Sequence, residues 1–420
     1  MAEKSQPQNT SLFAFLPRDR DELHAFLADL RENKPVHQIT PKGIWAITRY
    51  DDVVHVLNHP EIFSSEAIRY LATGLPDETS SQAPEIATNL SNENASLLFR
   101  ATPTVINTDP PNHSHYRNIV NRGFTPKQIK RLEPRVQEIT DGLLDKVVGK
   151  GEIELMQDLA IPLPVTVIAE LLGVDAERAD DFKRWSDLFL STIAQTPDAE
   201  AQKQLETAMV EFAEYFRQVI KVRRDNPEND LISIITHANT PEGSLSDVEI
   251  LAFCRTLLVA GNETTTNLVA RMIFTLLDHP DEFAKLKADL SLLPNAIEET
   301  LRYAGVVPAL PRLTTEDTEI GGVKIPARQL VLPFFMAANR DPRRFPDPDR
   351  FDITRKTNGH LAFGFGIHFC LGAHLARLET RIAMEAVIRR LPNLRLVDPN
   401  QNFLVVPGGP VTVHLNFDVN

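Results

Sequence analysis

Ten residues near the C-terminus constrain the fold most: Phe363-Gly-Phe-Gly-Ile-His-Phe-Cys-Leu-Gly372. They place one cysteine, Cys370, in a glycine-punctuated loop directly ahead of a strongly helical stretch that begins at Ala373. A thiol just before a helix N-terminus meets unpaired backbone N–H groups and the positive end of the helix dipole, and both favour the thiolate. Gly364, Gly366 and Gly372 carry no side chains, so a flat, bulky ligand can lie close against this backbone. Phe363 and Phe369 supply an apolar wall. A thiolate in such a loop suits one axial bond to a haem iron. A buried, inert cysteine in a turn is the commoner fate of a lone thiol. A dinucleotide loop does not fit, because Phe369 stands where G-x-G-x-x-G needs its third glycine. No second cysteine lies near enough for a zinc or redox pair.

The segment resembles the haem-binding signature of the cytochrome P450 family, F-x-x-G-x-x-x-C-x-G. Phe363, Gly366, Cys370 and Gly372 fill its four fixed positions. The resemblance implies a mainly α fold with small β-sheets, haem b (iron protoporphyrin IX) as cofactor, and Cys370 as its axial metal ligand.

Bulk properties agree. The chain has 420 residues, with no linker and no repeat, and reads as one domain over 1–420 with residues 1–15 flexible. With 44 Lys and Arg against 57 Asp and Glu, the net charge is −13, which argues against nucleic acid as a partner. Cys254 and Cys370 are the only cysteines, which excludes a disulfide scaffold and fits a reducing compartment. The polar stretch Met1–Thr10 offers neither a signal peptide nor a membrane anchor, so a cytoplasmic location is expected.

Along the chain, Gly43–Arg49 reads as a strand and Tyr50–Leu57 as a helix. Residues 65–107 read as a long irregular connection, and 126–290 as almost wholly helical. After Ile297 come strand-like pieces at Glu319–Ile325 and Val411–Leu415. Ser246-Asp-Val-Glu249 is a capping box opening a helix of roughly 30 residues, or about 45 Å. Its centre, Ala260-Gly-Asn-Glu-Thr-Thr-Thr266, breaks helix propensity with one glycine and three threonines. A merely kinked core helix is one reading. The segment also resembles the family's A-G-x-[DE]-T-[TS] stretch over the distal haem face. The resemblance implies that Thr264 and Glu263 are catalytic, ordering water and supplying protons for oxygen activation.

Glu299-Thr-Leu-Arg302 pairs opposite charges at i and i+3 and resembles the family's buried E-x-x-R pair. Arg350, within Phe345-Pro-Asp-Pro-Asp-Arg-Phe351, is the candidate third member of that structural network. By positional match to bacterial relatives, His113, Arg117, Arg312 and His368 are assigned to the haem propionates, with Phe363 and Gly372 also against the cofactor. A substrate pocket is expected from Leu257, Leu258, Ala260, Gly261, Val307, Ala309 and Leu310. Further lining is expected from the loop before Asn107, from Leu188–Leu190 and from the turn near Pro410.

The function implied is a monooxygenase that uses O2 on an apolar small molecule: a fatty acid, terpenoid or steroid-like compound. Its electrons would come from a ferredoxin or flavodoxin with an NAD(P)H-dependent reductase, since no flavin or nicotinamide module fits this length. Arg117, Arg122, Lys127, Lys130, Arg131, Arg377 and Arg381 form a candidate basic docking patch. Alternatives are a peroxide-driven peroxygenase, a non-catalytic haem protein that binds a gas or ligand, and an unrelated helical protein without cofactor.

Overall fold

The structure, a computed structural model, describes residues 13, 15–17, 19–39, 44–73, 102–194, 199–241, 243–356, 359–398 and 412–419. Its axis is the helix Asp247–Asp278, 32 residues long. The Ser246 hydroxyl accepts the Glu249 N–H, and the Glu249 carboxylate accepts the Ser246 N–H in return. Every residue from Asn267 to Leu276 is buried, so this half of the helix is clad on all sides. Its cladding includes Pro162–Leu172, Ala179–Ala194, Ala199–Asp225 and Ala373–Arg390. Pro280 follows His279 and ends the run, because the residue before a proline avoids the helical region. Among the described residues no helix is long and apolar enough to cross a membrane.

The β structure is small and mostly long-range. A five-stranded sheet runs Val36–Gln38, Ile44–Ile47, Leu330–Pro333, Arg312–Thr314, Phe63–Ser64 in spatial order. Its central pair, Ile44–Ile47 with Leu330–Pro333, is parallel. A second sheet joins Glu152–Glu154, His414–Asn416 and Arg395–Leu396. The strand Glu152–Glu154 interrupts the region read as almost wholly helical, because its partner lies far along the chain. The stretch read as one strand at Glu319–Ile325 is a hairpin of Thr318–Ile320 with Val323–Ile325. Gly321 and Gly322, at φ 57° and 81°, give the two left-handed residues that such a tight turn requires. Most of the connection expected at 65–107, residue 411 and the turn near Pro410 lie outside the described residues.

One ionic network holds the helix Leu293–Tyr303 to the segment preceding the cysteine loop. Arg302 donates Nε and Nη2 to the two carboxylate oxygens of Glu299, each at 2.8 Å, and neither side chain has any exposed surface. Arg302 also donates to the carbonyls of Asn339, Pro348 and Arg350. The third arginine is Arg355, whose Nε reaches Glu299 Oε1 at 3.1 Å. It is not Arg350, whose side chain is 64% exposed and lies 3.7 Å from Asp352. The proline-rich turn directs its carbonyls inward onto Arg302 and Arg355, and the Arg350 side chain therefore points out.

Removing one partner of a buried charge network leaves the other uncompensated. Arg355→Ala should therefore cost about 3 kcal/mol, whereas Arg350→Ala should change stability by less than about 0.5 kcal/mol. Urea unfolding of both variants checks this ordering.

Candidate active site

The cysteine loop is closed by its own backbone. The Cys370 N–H donates to the Phe363 carbonyl at 2.8 Å, and Gly366–His368 forms a single tight turn between them. Gly364 and Gly366 have φ of 72° and 67°. A Cβ on Gly366 would sit 2.8 Å from the Leu57 carbonyl, so only glycine lets the loop seat on the end of the helix Tyr50–Asn58. Gly372 differs: a Cβ there would meet no protein atom within 4 Å. Phe365, Ile367 and Phe369 are each more than a third exposed, so an apolar surface surrounds the thiol.

Burial pushes the Cys370 thiol up from its ordinary value. The backbone N–H groups of Gly372 and Ala373, with Arg117 and Arg377, act in the opposite direction without overcoming it. The expected preference for thiolate at this helix start is thus outweighed by desolvation. A metal cation bound at the sulfur would stabilise the anion.

Behind the loop lies a charge cluster that local sequence did not reveal. Glu298 accepts Arg377 Nε at 2.6 Å and Nη2 at 2.8 Å, and approaches His360 Nε2 at 3.0 Å. The Arg377 guanidinium in turn sits 4.5 Å from the Phe363 ring centroid, a cation–π distance. Arg377 and Glu298 thereby brace the aromatic residue that opens the cysteine loop.

Four residues assigned to an acidic ligand converge. The His113 and His368 rings are 4.3 Å apart. His368 Nε2 is 2.8 Å from Ser65 Oγ, a partner the sequence did not indicate. Burial first, then Arg312, His113 and Arg117, lower the His368 pKa to about 2. Arg312, 3% exposed, is lowered to about 10 by burial, and only Asp109 opposes that shift. Arg117 is lowered by burial as well, with Cys370 acting against it. His113 Nε2 is buried without a hydrogen-bond partner. Asp109 itself accepts Ser64 Oγ and the Ser65 N–H. A buried cationic cluster with an orphaned imidazole nitrogen fits the two carboxylates of a haem.

On the long helix, Leu257, Ala260 and Thr264 share one face by their i, i+3 and i+4 spacing. Ala260 is exposed although it lies mid-helix. The Thr264 hydroxyl donates to the Ala260 carbonyl at 2.7 Å. Glu263 is half-buried, and its charge acts on Arg271 two turns away. The neighbouring flank of the helix is packed. Leu258 has no exposed surface and serves helix packing rather than lining a pocket, while Gly261 is half-buried and a Cβ there would touch Ile168 at 3.4 Å. Cys254 is fully buried in the same core, and burial raises its thiol. Ala309 is likewise buried, bridged to Phe334, while Val307 and Leu310 are half-buried.

The Glu298 cluster has a pH signature. Burial alone would raise its carboxyl, but hydrogen bonds from Arg377 and His360 win and hold it at about 2 against an ordinary 4.5. A depressed carboxyl stabilises the fold above its unfolded pKa and loses that contribution as pH falls through the folded value. Glu298→Gln should therefore cost at most about 3 kcal/mol near neutrality. The gap to the parent protein should narrow as pH drops below about 4.5, which urea midpoints over a pH series will show.

Comparison with known proteins agrees with this geometry. The family model described as Cytochrome P450 matches residues 164–392. The chain is 40% identical to the putative cytochrome P450 YjiB of Bacillus subtilis, over 92% of each chain. It is 43% identical to the cytochrome P450 monooxygenase PikC of Streptomyces venezuelae, covering 89% of this chain and 85% of that one. The solved structure of myxobacterial cytochrome P450 CYP267B1 in complex with myristic acid aligns with a TM-score of 0.82 at 40% identity, covering 96% of this chain and 98% of that one. A helix-rich fold, a lone thiol in a glycine cradle and relatives matched over nearly their full length lead to one conclusion: this chain belongs to the cytochrome P450 family of haem monooxygenases.

Proposed function

We propose that the protein holds haem b with Cys370 as axial thiolate, and inserts one atom of O2 into an apolar small molecule while the other leaves as water. The observation that carries this is the pairing of the Cys370 cradle with the buried cluster of His113, Arg117, Arg312 and His368. The haem, when bound, supplies the reductive activation of O2. His113 Nε2 and the Arg117, Arg312 and His368 side chains hold the propionates. Gly372 leaves backbone open beside the sulfur, and Phe363 flanks it. With the cofactor and O2 bound, Thr264, whose hydroxyl donates to the Ala260 carbonyl at 2.7 Å, would hold a proton for oxygen activation that Glu263 would replenish. Leu257, Val307 and Leu310 offer apolar side chains to the substrate. A fatty acid, terpenoid or steroid-like molecule suits them, in keeping with the myristic acid bound by the related CYP267B1 structure.

Two variants test the assignment. Cys370→Ala should abolish the carbon monoxide difference band of a thiolate-ligated haem together with oxygenation. Thr264→Ala should retain that band and the substrate-induced spin shift, yet divert reductant into hydrogen peroxide. Its loss of coupling should be on the order of a hundredfold, the low end of what a positioned acid–base group contributes. A normal thiolate band in the first variant, or unchanged coupling in the second, refutes the respective role.

Electrons come, in this reading, from an acidic ferredoxin or a flavodoxin with its NAD(P)H-dependent reductase in the cytoplasm. The docking patch is narrower than the sequence suggested. Arg377 is held by Glu298, and Arg381 by Glu133 at 2.5 Å. Arg122, Lys127, Lys130 and Arg131 remain exposed at the start of the helix Pro126–Asp145. Beside them, a groove of about 280 Å³ lies between that helix and Ala373–Arg390. Charge reversal at Lys127 and Arg131 should slow stopped-flow reduction and flatten its dependence on ionic strength, with substrate binding unchanged.

A further inference from the structure

The helix Tyr50–Asn58 carries His55 in its last turn and His59 as its C-terminal cap. Residues at i and i+4 lie above one another on a helix face. Here the two imidazole rings stand 4.3 Å apart, centroid to centroid, with 40° between their planes. Both side chains are half-buried.

Each ring is held in place. His55 meets the fully buried Phe63 edge-on, with centroids 5.9 Å apart. His59 Nδ1 lies 2.8 Å from the His55 carbonyl. A carbonyl only accepts, so in the neutral ring Nδ1 carries the proton and Nε2 keeps its lone pair. A backbone carbonyl holding one ring N–H is what fixes tautomer and orientation in a metal-ligating histidine. Burial first, then His59, lowers the His55 pKa, while Asp52 and Glu61 oppose the shift. Those two carboxylates place negative charge near the pair, although among the described residues no three-ligand set of His, Cys, Asp or Glu forms. The carbonyls at the end of a helix also favour a cation.

We propose that His55 and His59 together bind one borderline divalent transition-metal ion, zinc in the first instance, with water completing its coordination. Two ring nitrogens bonded to one zinc, each at roughly 2.0–2.1 Å, lie about 3 Å apart. Rings at this spacing reach that separation by small side-chain rotations. Imidazole suits zinc, copper and nickel, whereas magnesium and calcium take oxygen ligands. The site does not depend on the oxygenase reading, yet it adjoins the cysteine loop. A Cβ on Gly366 would meet the Leu57 carbonyl at 2.8 Å and Asn58 Oδ1 at 3.2 Å, and both residues lie between the two histidines in sequence. A metal that clasps His55 to His59 therefore fastens the helix end on which the loop seats. A ligand bound only by the folded state stabilises that state.

Holoenzyme freed of loose metal by dialysis and titrated with zinc should show a single site by calorimetry and a saturable rise in thermal midpoint. Magnesium at the same concentration should give neither. Crystals soaked in a zinc salt should show an anomalous peak between the two rings. His55→Gln and His59→Gln should each weaken zinc binding at least on the order of a hundredfold, since a group that merely orients a ligand contributes about 10- to 100-fold. Both variants should keep the haem content and the metal-free thermal midpoint of the parent. If either does not fold, the anomalous map and the magnesium control decide. Zinc affinity equal in the parent and both variants overturns the proposal. So does an anomalous peak found only away from the two rings, or an equal response to magnesium.

Discussion

Glu299 is a carboxylate with no exposed side-chain surface, and the ground beneath the cysteine loop depends on it. Its Oε1 alone accepts Arg302, Arg355 and the Asp352 N–H, while Oε2 takes a further bond from Arg302. Arg302 spreads its remaining donors over carbonyls of a turn that has little regular secondary structure of its own. Proline-rich backbone makes few internal hydrogen bonds, so the guanidinium groups supply them from outside. The network connects a helix to an irregular segment, and it fixes the geometry from which residues 359–372 then run.

The same chemistry appears elsewhere with its balance reversed. Glu298 has Arg377 and His360 as partners, and hydrogen bonding overcomes burial. At His113, Arg117, Arg312 and His368, burial overcomes everything the protein offers, and an imidazole nitrogen is left orphaned. Glu298 and Glu299 have close cationic partners, whereas this group is short of negative charge. A diacidic ligand would supply what the cluster lacks, and desolvation would make each such bond stronger than it is in water.

Charge placement also separates two faces of the cysteine helix. Arg377 braces Phe363 from behind while being neutralised by Glu298, and Arg381 is neutralised by Glu133. Exposed positive charge is thereby left to the neighbouring helix start, at Arg122, Lys127, Lys130 and Arg131. The groove between the helices has both charged and apolar walls, so steering and shape can act together.

Short-range rules made much of the fold and site legible in the linear chain. The Ser246–Glu249 box, the stop at His279-Pro280 and the helix beginning at Ala373 follow from groups a few residues apart. The cysteine loop belongs with them, since its bonds run between Phe363 and Cys370. Tertiary structure decided whatever depends on residues distant in sequence. Arg355 rather than Arg350 completes the Glu299 network because chain direction through a turn, not spacing, aims a side chain. Glu152–Glu154 is a strand only because His414–Asn416 lies beside it. Leu258 packs inward and Gly261 is half-buried against Ile168 while Ala260 is exposed, since the neighbouring helix Pro162–Leu172 covers one side of a helix whose sequence is small and apolar on both. Whether Cys370 favours thiolate was open to the sequence only as a local dipole argument. Burial depth, a property of the whole packed molecule, set the opposing sign.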